Sequence, residues 1–409
     1  MSEALAWIDE QQDALQQRLQ QWSSINSGSH NLAGLAEMHR TLAAAFVEAS
    51  DSVESLTADS YQIVRADGVV EDKEYGAMLH CLKRPDAKRR ILLVGHMDTV
   101  FPADSAFQQP TQIDDDTLHG PGVADMKGGL LCMLTALTAY EKFTPDPQLG
   151  WEVLINADEE LGSHGSRATI ANLATRSEVG LVYEPALADG TMVSARKGSG
   201  NFSLVVRGKA AHAGREFNLG RNAIAQLASG MQALHRLNEQ RDSIICNLGI
   251  ITGGTVVNSV ADLAICHFNV RTETAEDEIW IQDQLTTILA SINAEDGYQA
   301  ELHGGLTRPP KDFSPEIKAL FSLLNECSAQ LGFEIKHQAT GGCCDGNNLA
   351  AAGLPNIDTL GVRGGAIHTE DEFMLLNSLT ERSKLSYLLL EKLNRMDSFE
   401  HYLKGQSAC

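Results

Sequence analysis

Three short apolar runs, at residues 91–94, 151–155 and 180–182, each give way to a polar segment carrying an acid or a histidine. Runs of this length without polar alternation suit strands buried on both faces. Residues 128–143, between the first two runs, read as a helix. From about residue 76 strands alternate with helices, which implies a largely parallel, doubly wound sheet. Ligands bind beyond the carboxyl ends of the strands in such a sheet. The segments just after each run are therefore where chemistry is expected.

Around this pattern the chain is divided. The first fifty residues read as two packing helices: Leu5, Trp7, Ile8, Leu15, Leu19 and Trp22 recur at helical spacing, and a second helix runs over residues 32–49. Near Lys197 the texture changes. Strand-like segments at 201–206, 243–251, 263–271 and 298–302 are interleaved with helical ones at 223–237 and 278–292. This βαββαβ order suits a small, ferredoxin-like α+β domain with a four-stranded antiparallel sheet. After Arg308-Pro309-Pro310 the α/β pattern resumes. The expected fold is an α/β domain with a doubly wound mixed sheet, formed by residues 1–196 and 311–409, with residues 197–310 inserted. A length of 409 residues fits two such units.

The charge balance narrows the partners. The net charge of −22 repels phosphate backbones and anionic lipid, so neither nucleic acid nor a membrane surface is an expected partner. No apolar run approaches the ~20 residues of a membrane helix, and the acidic start of the chain does not resemble a secretory signal; a cytoplasmic location is expected. The eight cysteines form no CxxC pair and read as free thiols. Cys343-Cys344 stands out because it lies in a Gly-rich stretch.

Five segments carry possible ligands. His96 and Asp98, two apart beyond the first run, point to the same side of an extended segment. Asp125 follows a Gly-rich turn and precedes the 128–143 helix. Asp158, Glu159 and Glu160 follow the second run, Glu184 the third, and His368 a later Gly-rich loop. Singly, each has an ordinary reading: a strand-end histidine, a helix N-cap, a solvated acidic loop, a surface glutamate. Together they supply two imidazoles and three carboxylates at one sheet edge, a donor set that suits zinc. Five ligands are too many for one catalytic zinc with an open position. Two zincs sharing one carboxylate, about 3.5–4 Å apart, use them economically.

The ordered set GHMDTV, GPGVADMKGG, NADEELGS, YEP, KAAHAG and IHTEDEF resembles the M20 family of metallopeptidases, with the glutamate carboxypeptidase branch nearest. The resemblance implies a zinc-peptidase-like fold with an inserted lid and dimerisation domain, and a homodimer. It assigns His96, Asp125 and Glu184 to one zinc and Asp125, Glu160 and His368 to the other, with cobalt or manganese able to replace zinc. It makes Glu159 the general base and Asp98 the carboxylate behind His96. It sends His212 to the partner subunit's active site, where it steadies the oxyanion. Asn258 and Arg271, and more weakly Arg308 and the 341–347 loop, fall where relatives bind a substrate carboxylate. A cis peptide after the bridging aspartate is common in the family. The implied substrate is a small peptide or N-acyl amino acid: the reading is a carboxypeptidase-like hydrolase releasing a C-terminal residue such as glutamate. The alternative is a deacylase of the acetylornithine or succinyl-diaminopimelate type. More remote is an inactive binding protein, disfavoured by the intact ligand set. Cys343-Cys344 departs from the small hydroxyl residue or glycine of many relatives.

Overall fold

The protein is described by a computed structural model covering residues 2–406. Its larger sheet has six strands, in the order Ser52–Leu56, Met78–Lys83, Gly150–Asn156, Arg90–His96, Val179–Val182 and Asn356–Ile357. The last four are parallel, and Met78–Lys83 runs against both of its neighbours. The sheet is thus mixed. Its apolar runs, broken only by the buried Glu152, arise from the two packed faces. Ile91 and Leu93 join the main core with the helices Lys127–Phe143 and Ser378–Arg395, while Leu92 and Val94 meet Ile170 and Leu173 of the helix Arg167–Ala174. Period-two alternation sends successive side chains to opposite helix layers, and both layers are apolar.

The amino-terminal segment differs from expectation. What reads as one helix over residues 5–22 is two, Glu3–Glu10 and Gln12–Ser23. At Gln11 the backbone N–H reaches the Ile8 carbonyl, and the Gln11 side-chain Nε2 donates to Trp7 O at 3.1 Å instead. A side-chain donor has replaced the backbone donor of the helical ladder, so apolar spacing continues across the break. The next helix is Leu32–Phe46. The hairpin Tyr61–Val64 with Val70–Lys73 has no counterpart in the sequence reading.

The second large element is a four-stranded antiparallel sheet ordered Ile245–Gly253, Leu263–Thr272, Gly198–Arg207, Gln299–Arg308. Phe202, Leu204 and Val206 face the helices Ala223–Gln240 and Ala275–Asn293, forming a core separate from that of the six-stranded sheet. On the opposite face Val205 and Ile265 meet Val64 of the hairpin. The edge strand Ile245–Gly253 leaves Ile245, Ile250 and Ile251 exposed.

The chain enters and leaves this sheet side by side. Arg196 and Lys311 exchange backbone hydrogen bonds, each 2.9 Å long. Their side chains converge on one buried carboxylate, with Arg196 Nε 2.7 Å and Lys311 Nζ 2.8 Å from Asp358 Oδ2. Burial alone would raise the Asp358 pKa, but the two cations hold it down at about 2. The crossing is therefore pinned to the larger sheet, since Asp358 directly follows its last strand.

Candidate metal centre

Each candidate ligand sits just past an element that fixes it. His96 ends Arg90–His96, and Glu159 and Glu160 open the turn Glu159–Leu161 after Gly150–Asn156. Glu184 lies two residues beyond Val179–Val182. Asp125 stands one residue before the N-cap of Lys127–Phe143, which is Met126. His368 lies in the loop between Arg363–Gly365 and Phe373–Leu375, two strands of a second, five-stranded sheet. The Asp125–Met126 peptide is cis. Asp125 does not cap the helix, and its carboxylate is turned to the imidazoles.

Asp125 is the hub. Its Oδ1 is 3.0 Å from His96 Nε2 and its Oδ2 is 3.3 Å from His368 Nε2. His368 Nε2 is also 3.1 Å from Glu160 Oε2, and Glu184 Oε1 is 3.8 Å from His96 Nε2. Ligands at tetrahedral angles around one zinc, each 2.0–2.2 Å from it, lie roughly 3.3–3.6 Å apart, so these separations match a metal-sized gap. Ligand atoms of His96, Glu159 and Glu184, and of His96, Asp125 and Glu160, lie within 4.8 Å of one another. Glu184 Oε1 is buried with no hydrogen-bond partner. Such an orphaned oxygen is costly unless a cation faces it, so the residues present fit a pair of divalent ions.

The electrostatics agree. Burial alone would lower the His96 pKa, but Asp125, Asp98 and Glu184 raise it well above the usual imidazole value. Asp125 and Glu160 hold His368 up at about 11. Burial raises Glu159, Glu160 and Glu184, whereas Asp125, despite its own burial, is held low by the two imidazoles. Acids and imidazoles both drawn toward protonation mark a cluster short of positive charge.

Around the hub, supports fix orientation. His96 Nδ1 faces the backbone oxygen of Asp98 at 3.0 Å, nearer than the Asp98 carboxylate at 3.4 Å. An Nδ1–H donated there leaves the Nε2 lone pair for a metal. The Asp98 carboxylate instead ties the next ligand segment down, accepting from Ser29 Oγ (2.8 Å) and from the backbone N–H groups of Glu159 and Glu160 (both 3.2 Å). Glu372, which sequence reasoning missed as a functional residue, accepts the N–H groups of Gly122, Ala124 and Asp125 at 3.1, 2.9 and 3.0 Å. It fixes the backbone of the hub. In the sequence it stands inside the IHTEDEF motif beside the exposed acids Glu370 and Asp371, and nothing there distinguishes it from them.

The other candidates are spread more widely. Arg308 is buried, with Nη2 2.6 Å from Glu159 Oε1 and 2.8 Å from Ser163 Oγ, so here its partner is Glu159. Arg271 donates to Cys343 Sγ (2.9 Å) and Asn269 Oδ1 (2.9 Å). Cys343 is half-buried, while Cys344 is buried and caps the helix Asp345–Ala351. His212 and Asn258 are exposed neighbours in the loops of the four-stranded sheet, linked by Ala213 N–H to Asn258 O at 3.0 Å. Neither hydrogen-bonds nor ion-pairs with the cluster. Seven of the cysteines are free thiols, and Cys409 lies outside the described residues. Among the described residues no helix is long and apolar enough to cross a membrane.

Known proteins share this frame. The profile described as Peptidase family M20/M25/M40 matches residues 92–392. The chain is 26% identical over 313 residues to carboxypeptidase G2 of Pseudomonas sp. (strain RS-16), covering 75% of this chain and 74% of that one. It is 29% identical over 295 residues to a succinyl-diaminopimelate desuccinylase of Pseudomonas syringae pv. syringae (strain B728a), covering 68% and 74%. The solved M20 family metallo-carboxypeptidase Sso-CP2 from Sulfolobus solfataricus superposes with a TM-score of 0.71 at 17% identity, covering 97% of this chain and 100% of that one.

Proposed function

The chain belongs to peptidase family M20/M25/M40, a family of metal-dependent hydrolases, and on that premise we propose that it cleaves an amide bond next to a free carboxylate, in the manner of a carboxypeptidase releasing a residue such as glutamate. The observation that carries the reading is the division of Asp125, one oxygen to His96 and the other to His368. A carboxylate placed between two imidazoles is what two ions sharing a ligand require. His96, Asp125 and Glu184 hold one ion and Asp125, Glu160 and His368 the other, zinc in the first instance, with cobalt or manganese compatible with the same donors.

Bound there, the ions supply a water acidified toward a pKa of ~7 and a polarised carbonyl. The chain's residues do the rest. Glu159, next to the ligand Glu160 but not needed as one, takes the attacking water's proton and passes it to the leaving nitrogen. Asp98 holds the Glu159–Glu160 backbone in place through its two N–H contacts. Arg308 must exchange its Glu159 contact for substrate if it also binds the carboxylate, a task shared with Arg271 and Asn258.

The unit of residues 197–310 serves as lid and dimerisation domain in this reading, attached to the catalytic unit of residues 1–196 and 311–409. The exposed Ile250, Ile251 and Val257 on and beside its unpaired edge strand support docking of a second copy. His212 then reaches the partner's centre and steadies the oxyanion. The desuccinylase-like relative favours a second reading, an N-acyl-amino-acid deacylase with the same centre.

The test is metal content and hydrolysis measured together on a panel of dipeptides and N-acyl amino acids. About two metals per chain and cleavage lost on chelation are expected. A chain that binds no metal sinks the proposal.

A further inference from the structure

The two ligand sets are anchored differently. His96 and Glu184 follow the paired parallel strands Arg90–His96 and Val179–Val182, so the six-stranded sheet itself sets the distance between them. Glu160 follows a third buried strand, Gly150–Asn156. His368 has no such anchor. Its side chain is half-exposed, and it stands in the 366–372 loop of the five-stranded sheet. Ala366 and His368 both have left-handed backbone, with φ of +52° and +64°. Residues with side chains keep that conformation only where the surroundings hold it.

The loop's internal bonds shape the turn without fixing where it lies: Thr369 Oγ1 donates to Ala366 O at 2.7 Å and accepts Asp371 N–H at 3.2 Å. Its place is set by ties to the segment before the hub. The strand Thr117–His119 pairs with Phe373–Leu375, and His119 Nε2 lies 2.7 Å from Glu370 O. Glu372 binds that segment twice. Its backbone oxygen accepts Gly120 N–H at 3.1 Å, and its carboxylate takes the N–H groups of Gly122, Ala124 and Asp125. Of these ties only the Glu372 carboxylate reaches Asp125. Both its oxygens are engaged by N–H groups, so it is not itself a ligand. Asp125 is steadied from its other side as well, because Lys127 N–H donates to Gly122 O at 2.9 Å where the helix Lys127–Phe143 begins.

Resting on the two-ion reading above, we infer that Glu372 is a positioning residue for one ion of the pair. It holds the His368 loop against the Asp125 backbone and so maintains the Asp125–Glu160–His368 site. The His96–Asp125–Glu184 site takes its spacing from the larger sheet and depends on Glu372 far less. A glutamine at 372 keeps the length but turns an amide NH2 toward a backbone N–H, setting donor against donor.

The test loads the metal-free protein with zinc against a chromophoric chelator, which reads two dissociation constants. Glu372→Gln should keep one near the parental value and weaken the other about 10- to 100-fold, the usual cost of losing a group that orients a ligand. His368→Ala should weaken the same constant, and adding Glu372→Gln to it should cost little more, since both act on one site. Activity of Glu372→Gln lost at limiting zinc should return in excess zinc. Glu370→Gln and Asp371→Asn, at the exposed neighbours, should leave both constants unchanged. If Glu372→Gln does not fold, Glu372→Asp, which keeps the charge but shortens the reach, should weaken the same constant. Two unchanged constants, equal weakening of both, a full further loss on top of His368→Ala, or the same effect from Glu370→Gln overturns the inference and leaves the two-ion reading standing. A parent chain that binds no zinc fails that reading, and the inference with it.

Discussion

In the six-stranded sheet, Gly150–Asn156 is buried along its whole length, whereas the edge strand Ile245–Gly253 of the four-stranded sheet has most of its residues exposed. The first arrangement fixes the segment beyond the strand. Glu159 and Glu160 leave a strand that cannot shift, and Asp98 holds them by two backbone hydrogen bonds. The second leaves its loops free, so His212 and Asn258 find only each other's segment within the chain. The acids and imidazoles of the cluster all come from outside the four-stranded sheet; of that sheet Arg308 reaches Glu159, whereas the loop residues His212 and Asn258 act only against something brought to them.

The contrast can be broken most directly at its hub. Asp125→Ala should remove a ligand from both ions, giving metal-poor protein without measurable turnover; elemental analysis beside an activity assay checks this, and two retained metals would contradict a shared carboxylate. Glu159→Ala should keep its metal but lose about 10²–10⁴ in kcat, and near-normal turnover would take the proton-transfer role away from it. His212→Ala should cost about 10²–10³ in kcat with unchanged melting temperature. If mixing it with Glu159→Ala protein restores activity, a histidine from one copy serves the centre of another; no recovery would leave the smaller sheet without a role across subunits. The smallest effect on turnover is expected at the crossing between the two regions. Asp358→Asn would leave Arg196 and Lys311 buried without their carboxylate, a loss of about 3–5 kcal/mol of stability by denaturant titration. The pH dependence has a definite sign. The folded pKa of Asp358, about 2, is depressed below the ordinary value of 3.8, so its contribution is present above about pH 4 and lost as pH falls toward 2. A variant whose acid unfolding matches the parent would show that the pair of cations does not depend on it.

The parts legible in the sequence share a physical cause. His96, Asp125, Glu160, Glu184 and His368 are legible because each lies within a few residues of an element with a strong pattern, and their acid and imidazole character is rare at such places. The four-stranded sheet is legible for the same reason, since its strands and helices differ in period. Glu372 is hidden because its partners are backbone N–H groups some 250 residues away in the chain, and no residue type announces that. The break at Gln11 is hidden because a glutamine side chain substitutes for the helical donor without disturbing the apolar spacing. The family resemblance makes Arg308 a weaker candidate for binding a substrate carboxylate, and its contact with Glu159 depends on how the returning strand meets the larger sheet.

The order of the larger sheet also sets a timetable. Asn356–Ile357 pairs with Val179–Val182, and at about 5–20 residues per second the ribosome needs roughly 9–35 s to make the chain between them. Through that interval Val179–Val182 waits with one edge bare, while the four-stranded sheet, whose strands all fall between 198 and 308, can complete itself. Asp125 likewise has His96 early and lacks His368 until the later stretch has emerged. A half-made chain thus offers a bare edge to chaperones and a one-sided hub to metal, and it gains its second imidazole only after its smaller sheet is finished.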